Sequence, residues 1–309
     1  MNQVSLQPYE VTEPLSQITA WLRSHMDVSN STLLDYSGRL SPFADYLSVN
    51  GINDNSLLEY KRALSADRSI KISTKNKKLT IARLFLRELY RHGVIPRDIT
   101  VGVKGFEQNS KHKRNGLNDD DILLIRKWIS QNQQTTPKSL RLTCLLLLLT
   151  YHGLRQIEVC RLEYGDIDFT SSKLLVQGKG RDDKTPIHLN PEVTEALRAY
   201  CTAYSVSSGQ LFFSISNSSY GHPLTTRGLR ITVTRLFKKL GINKGLHGLR
   251  HFYVTKLVEE YPGDLFTVMA FTRHRSLEQL QVYNDAILCA KEYPRHDRIF
   301  SQMLIQCQK

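Results

Sequence analysis

Apolar residues recur at helical spacing through the first hundred positions. After Ser29-Asn30, the residues Leu33, Leu34, Leu40, Phe43, Ala44 and Leu47 form one stripe, and Gly51 stands where the helix carrying it should end. Pro42 falls inside that stripe and predicts a kink or a break. Further helices are expected over about residues 14–26, with Pro14 in the first turn, over about 56–65, and from Ser73 to just before Gly93. The last is two-faced. Leu79, Ala82, Leu86, Leu89 and Tyr90 make its apolar side, and Lys75, Lys77, Lys78, Arg83, Arg87 and Arg91 its basic side. A basic face is either solvated or laid against phosphates.

The periodicity stops at 107–117, where Glu107 to Gly116 is polar and basic and includes Lys111, Lys113 and Arg114. This reads as an interdomain linker between a helical unit, 1–106, and a second domain, 118–309. A nuclear-type targeting signal is the alternative. Asn118 and three aspartates then cap a helix at Ile122. Pro137 opens an apolar helix through Cys144–Leu149 that stops at Gly153 and reads as a buried core element. At 173–189 the period changes. Lys173–Gln177 and Thr185–Leu189 are expected strands of a hairpin around Gly178–Asp183. Helices follow at about 191–204, 226–240, 247–260 and 276–290, so the fold is mainly α with a small β-hairpin in the second domain.

Composition narrows the function. The 309 residues, 40% apolar, suffice for two cores. Lys and Arg number 42 against 29 Asp and Glu, a formal charge of +13 that suits nucleic acid or an anionic surface, although solubility alone would also account for it. No apolar run reaches the ~18 residues of a transmembrane helix. The start has no basic stretch followed by an apolar one, so no secretory signal and no membrane partner are expected. Cys144, Cys160, Cys201, Cys289 and Cys307 are odd in number and form no CxxC pair, which fits a reducing cytoplasm without disulfides or a zinc site.

Three segments carry candidate chemistry. Gly153-Leu154-Arg155-Gln156-Ile157-Glu158 brings an arginine out of the core with a carboxylate three residues on, a catalytic cation or a structural ion pair. His247-Gly248-Leu249-Arg250-His251 sets His247 and Arg250 on one helical face as a phosphate clamp or a core pair. Gly248 stands where a zincin would have Glu, which argues against metal binding by His247 and His251. The third segment is Thr272-Arg273-His274-Arg275-Ser276, with Tyr283 nine residues beyond His274.

Taken in order, Arg155, Lys179, His247, Arg250, His274 and Tyr283 resemble the tyrosine site-specific recombinases, the phage-integrase superfamily, in a Xer-like two-domain layout. The stretch at Arg155 resembles the GLRxxExxxL box, and His247–His251 the HxLRH box. The resemblance implies a SAM-like helical core-binding domain and a tyrosine-recombinase catalytic domain. It implies attack of Tyr283 on a DNA phosphate to give a 3′-phosphotyrosine and a free 5′-hydroxyl. Arg155, Arg250 and His274 would hold the phosphate, His247 would take the phenolic proton, and Lys179 would protonate the leaving oxygen. Glu158 and His251 would support them. The bond energy is kept in the adduct, so no cofactor or metal is implied.

The implied partner is double-stranded DNA with an inverted-repeat core site, gripped through Lys75, Lys77, Lys78, Arg83, Arg87, Lys111, Lys113 and Arg114. Strand exchange implies a synaptic tetramer. Asp297 and the stripe Ile299, Phe300, Met303 and Leu304 suit a tail helix docking in trans or on its own domain. A second recombinase or an accessory protein is also conceivable within the family. A helical domain starting near residue 14 leaves no room for a separate arm-binding domain. Replicon-dimer resolution and mobile-element integration or transposition both stay open. Outside that reading stand a type IB topoisomerase and a non-catalytic DNA-binding protein of the same fold. Two departures are visible. Arg273 stands where the family usually has Gly, and Lys184 offers a second lysine in the hairpin.

Overall fold

The computed structural model describes residues 18–107, 116–132, 136–178, 180–281, 283, 294 and 298. The chain divides into two units, 1–110 and 111–309.

The first unit packs four helices, α1 (Ile18–His25), α2 (Asn30–Asn50), α3 (Ser56–Ala66) and α4 (Ile72–Arg91). Leu40, Phe43, Leu57, Ala82, Leu86 and Leu89 are fully buried at its centre. Ser29 caps α2 by accepting the Thr32 N–H at 3.4 Å, and Gly51 (φ +69°) ends it. Pro42 does not break α2, which runs through it for 21 residues. A mid-helix proline removes one hydrogen bond and costs about 3 kcal/mol. Here the amide it lacks would face the carbonyl of Gly38, and the buried side chains on either side, Leu40, Phe43, Ala44 and Leu47, outweigh that loss.

The basic face of α4 is smaller than its sequence suggests. Lys75 is buried, donating to the Ser65 carbonyl at 3.1 Å with its ammonium above the Phe106 ring, so it is a packing residue of this unit. Arg83 donates to the Val103 carbonyl at 2.5 Å, and Arg87 to the Thr100 hydroxyl at 3.1 Å. Both brace the segment after α4. Lys77 is exposed and Lys78 half-buried. Lys111, Lys113 and Arg114 lie outside the described residues.

The second unit is built around α6 (Pro137–Tyr151), which packs against α5 (Asp119–Asn132), α7 (Gln156–Arg161), α8 (Pro191–Ala203), α9 (Thr226–Lys239) and α10 (His247–Glu260). Cys144 to Leu149 are all buried, as an apolar run of that length in a central helix requires. Asn118 and Asp121 cap α5 reciprocally, each side chain accepting the other's N–H. The hairpin strands are β2 (Lys173–Gln177) and β3 (Lys184–His188). A two-residue strand β1 (Ile167–Asp168) joins them in an antiparallel sheet of order β1-β2-β3. Leu174 and Val176 turn its inner face to the core.

One further helix, α11 (Leu265–Thr272), is absent from the sequence expectation. Its residues, Leu-Phe-Thr-Val-Met-Ala-Phe-Thr, are apolar nearly throughout and show no 3.6-residue period. Its start is marked by Asp264, which accepts the Thr267 N–H at 3.1 Å. Residues 278–281 and Tyr283 are helical, and the rest of the helix expected to 290, like the tail with Asp297, Ile299, Phe300, Met303 and Leu304, lies outside the described residues. Among the described residues, no helix is long and apolar enough to cross a membrane.

Candidate active site

The turn after α6 sets the site. Gly153 takes φ +54°, and a Cβ there would stand 2.2 Å from the Tyr253 ring of α10. Glycine is therefore required both for the turn and for the close approach of α10. The next residues lead into α7, with Arg155 as its N-cap. Glu158 is fully buried and accepts the Arg155 N–H at 2.8 Å and its Nη1 at 2.9 Å. Burial works to raise the Glu158 pKa. The Arg273 charge, the Arg155 amide and the Arg155 guanidinium outweigh it and hold the carboxyl below its ordinary value.

Arg250 reaches the same place from α10. It is buried, and its guanidinium donates to the Gly153 carbonyl at 2.5 Å and to the Thr272 carbonyl at 2.6 Å. Burial first, then the neighbouring Arg155 charge, lowers its pKa to about 9, which leaves it protonated at neutral pH. Gly248, two residues earlier on α10, faces Leu117, whose Cδ1 would lie 2.4 Å from an added Cβ.

His274 follows α11. Its Nδ1 lies 2.6 Å from the Thr272 hydroxyl, and its Nε2 lies 3.3 Å from Arg250 Nη2. Thr272 spends its one hydroxyl proton on the Val268 carbonyl at 2.7 Å, so it accepts from Nδ1–H. The lone pair of Nε2 then faces Arg250. Burial, followed by Arg250, Arg155 and Arg273, pushes the His274 pKa down to about 3, so the ring is neutral. Arg273 closes the site with its guanidinium 3.3 Å from Glu158.

Tyr283 is half-buried, and its hydroxyl is hydrogen-bonded to Nδ1 of His251. Burial raises its pKa to about 12, partly offset by Arg250. A phenol so raised needs a base to ionise. The His251 ring meets the exposed His247 ring edge-on at 4.6 Å. The family resemblance points to His247 as the group that takes the phenolic proton, whereas the hydroxyl's hydrogen bond goes to His251. The i+4 spacing puts His247 and His251 on one face of α10 and does not by itself say which of them meets Tyr283.

The hairpin rim faces this cluster. Arg275 donates to the Gly180 carbonyl at 2.9 Å, and Arg161 to the Gly178 carbonyl at 3.3 Å. A cleft of about 180 Å³ opens among Arg155, Glu158, Thr185, Arg181, Arg273 and Arg275. Lys179 lies outside the described residues. Lys184 is ion-paired to Asp166 at 2.5 Å and to Glu163 at 3.2 Å, and the Asp166 hydrogen bond is the main reason its pKa is raised. Such a lysine holds its proton and is poorly suited to give it up.

The sequence and fold also have known counterparts. The phage integrase family profile matches residues 118–287. The tyrosine recombinase XerC of Lacticaseibacillus casei is 25% identical over 305 residues, covering 92% of this chain and all of that one. Among solved structures, XerH site-specific recombinase bound to a palindromic difH substrate, in a post-cleavage complex, superposes with a TM-score of 0.72 at 20% identity, covering 92% of this chain and 84% of that one. A lambda integrase dimer bound to a COC′ core site gives 0.67 at 18% identity, covering 89% and 95%.

Proposed function

The chain belongs to the phage integrase family, and we propose that Tyr283 is the nucleophile with which it cuts and rejoins DNA. It is a tyrosine recombinase, an enzyme of site-specific strand breakage and rejoining by transesterification. In the proposed cycle the Tyr283 oxygen attacks the scissile phosphorus and the bond to the 5′-oxygen breaks. A 3′-phosphotyrosine and a 5′-hydroxyl result. The 5′-hydroxyl of a partner duplex then reverses the step and releases Tyr283.

The observation that carries this reading is the convergence of Arg155, Arg250, His274 and Tyr283 from four separate segments. Arg155 and Arg250 neutralise the charge that grows on the non-bridging oxygens. His251, backed by His247, takes the phenolic proton. Lys179 on the hairpin gives the leaving oxygen its proton, since Lys184 is held by Asp166 and Glu163. Duplex DNA with inverted half-sites is the substrate, and four copies assemble on two such sites with tails exchanged between neighbours. Resolution of replicon dimers fits the XerC likeness, and mobile-element integration uses the same chemistry.

The test is covalent trapping. Wild type and Tyr283→Phe are incubated with nicked duplexes from DNA flanking the gene and run on denaturing gels. An adduct with wild type alone is expected. A type IB topoisomerase reading would be favoured by relaxation of supercoiled plasmid without any site. A non-catalytic DNA-binding protein would give tight binding and no adduct.

A further inference from the structure

Arg273 occupies a backbone conformation that suits glycine. It ends α11 with φ 55° and ψ 39°, in the left-handed region that disfavours any residue carrying a Cβ. Its side chain turns inward and is 12% exposed. One guanidinium nitrogen lies 3.3 Å from Glu158 Oε2 and 3.3 Å from the His152 carbonyl, and the other 3.1 Å from the Phe271 carbonyl. Its own carbonyl accepts from Arg155 Nη2 at 3.5 Å. Arg273 thus touches Arg155 twice over, once through its backbone and once through a shared carboxylate.

The sharing has an electrostatic consequence. Glu158 offers Oε1 to Arg155 Nη1 and Oε2 to the Arg155 amide and to Arg273. With Arg155 alone, the buried carboxylate would cancel the arginine one for one and show an incoming phosphate only a dipole. With Arg273 added, the trio keeps one net positive charge. In a buried site such a difference is weakly screened. The backbone contact meanwhile fixes where the second Arg155 nitrogen points.

We propose that Arg273 is a positioning residue for strand cleavage, taking a share of Glu158 and presenting its carbonyl so that Arg155 meets the DNA phosphate oriented and uncancelled. This rests on the reading of Arg155 as a phosphate-binding residue. Glycine at 273 accepts the same φ but removes the charge, and lysine keeps the charge.

The experiment measures the single-turnover rate of adduct formation on a nicked duplex spanning the cleavage site, mapped first with wild type. Arg273→Gly should slow the rate between about 10-fold and 100-fold while DNA affinity stays within about twofold, the range for groups that hold a reacting cation in place. Arg273→Lys should restore most of the rate. Glu158→Gln, placed in the Arg273→Gly protein, should recover part of it, because a neutral amide no longer cancels Arg155. A purely structural role predicts no such recovery, and its absence in both the Lys and the double variant overturns the proposal. So does an Arg273→Gly rate within about twofold of wild type. If wild type forms no adduct on any duplex, the phosphate-binding premise and the proposal fall together.

Discussion

The Tyr283 hydroxyl is hydrogen-bonded to Nδ1 of His251, one turn of α10 beyond His247. If Tyr283 is the nucleophile, as proposed, an imidazole nitrogen that can take its proton is already within hydrogen-bond reach before DNA binds. Replacing His251 with Gln should slow adduct formation by about 10²-fold or more, as expected for loss of a general base, and leave DNA binding intact. Replacing His247, which is exposed, should cost less. The comparison is made by single-turnover trapping of both variants, and a larger loss in His247→Gln would return the base role to His247.

The two hairpin lysines should separate cleanly. Lys179→Ala is expected to slow cleavage of an ordinary duplex and to regain rate on one whose scissile 5′-oxygen is sulfur, since a thiolate leaves without a proton. Lys184→Ala should keep its cleavage rate but lose roughly 1–3 kcal/mol of stability, because Asp166, which is buried, loses its cation. Rate on the two duplexes and chemical denaturation read these effects separately.

Acid should weaken the DNA-free fold through His274. Unfolded, the ring takes a proton below its ordinary 6.5, whereas folded it resists down to about 3. The unfolded chain binds the extra proton between those values, so stability falls as pH drops from 6.5 towards 3. Glu158, depressed in the fold, adds to the same trend below its ordinary 4.5. A DNA phosphate beside His274 would offset part of the arginine charge that lowers the ring's pKa, so DNA binding at acid pH should draw in a proton. Calorimetry in buffers of different ionisation enthalpy would detect the uptake, and His274→Asn should abolish it.

On α4, charge and position predict different fates for neighbouring lysines. Replacing Lys77 and Lys78 should weaken DNA binding at every sequence and shrink the salt dependence by about one unit of slope for each lost phosphate contact. Lys75→Met should instead lower the melting temperature and leave the salt slope alone, because its ammonium serves Ser65 and Phe106. Salt titrations of the three variants distinguish these outcomes.

What the sequence made legible followed from local rules. The leucine run of α6, the change of period at β2 and β3, and the Asn118–Asp121 cap are decided within a few residues. The order and spacing of Arg155, His247, Arg250, His274 and Tyr283 point to the family without any tertiary contact. What escaped depends on tertiary neighbours. Helix α11 has too few polar positions to show a period. Pro42 was outweighed by buried side chains around it. Lys75 sits in a basic stripe, and only the packing of Phe106 takes it out. Nothing local could say which histidine would meet Tyr283, or that Arg273 would turn inward to Glu158.

Arg250, on α10, ties together the carbonyl of Gly153, just past the end of α6, and that of Thr272, the last residue of α11. A descendant released from selection for DNA cutting could replace Tyr283 with Phe and keep the ring packed beside Val254, Val258 and Leu280. It could not shed Arg250 without leaving two buried carbonyls unpaired. In degenerate copies of such a gene, the hydroxyl at 283 should decay first and the arginine at 250 should persist for structural reasons alone.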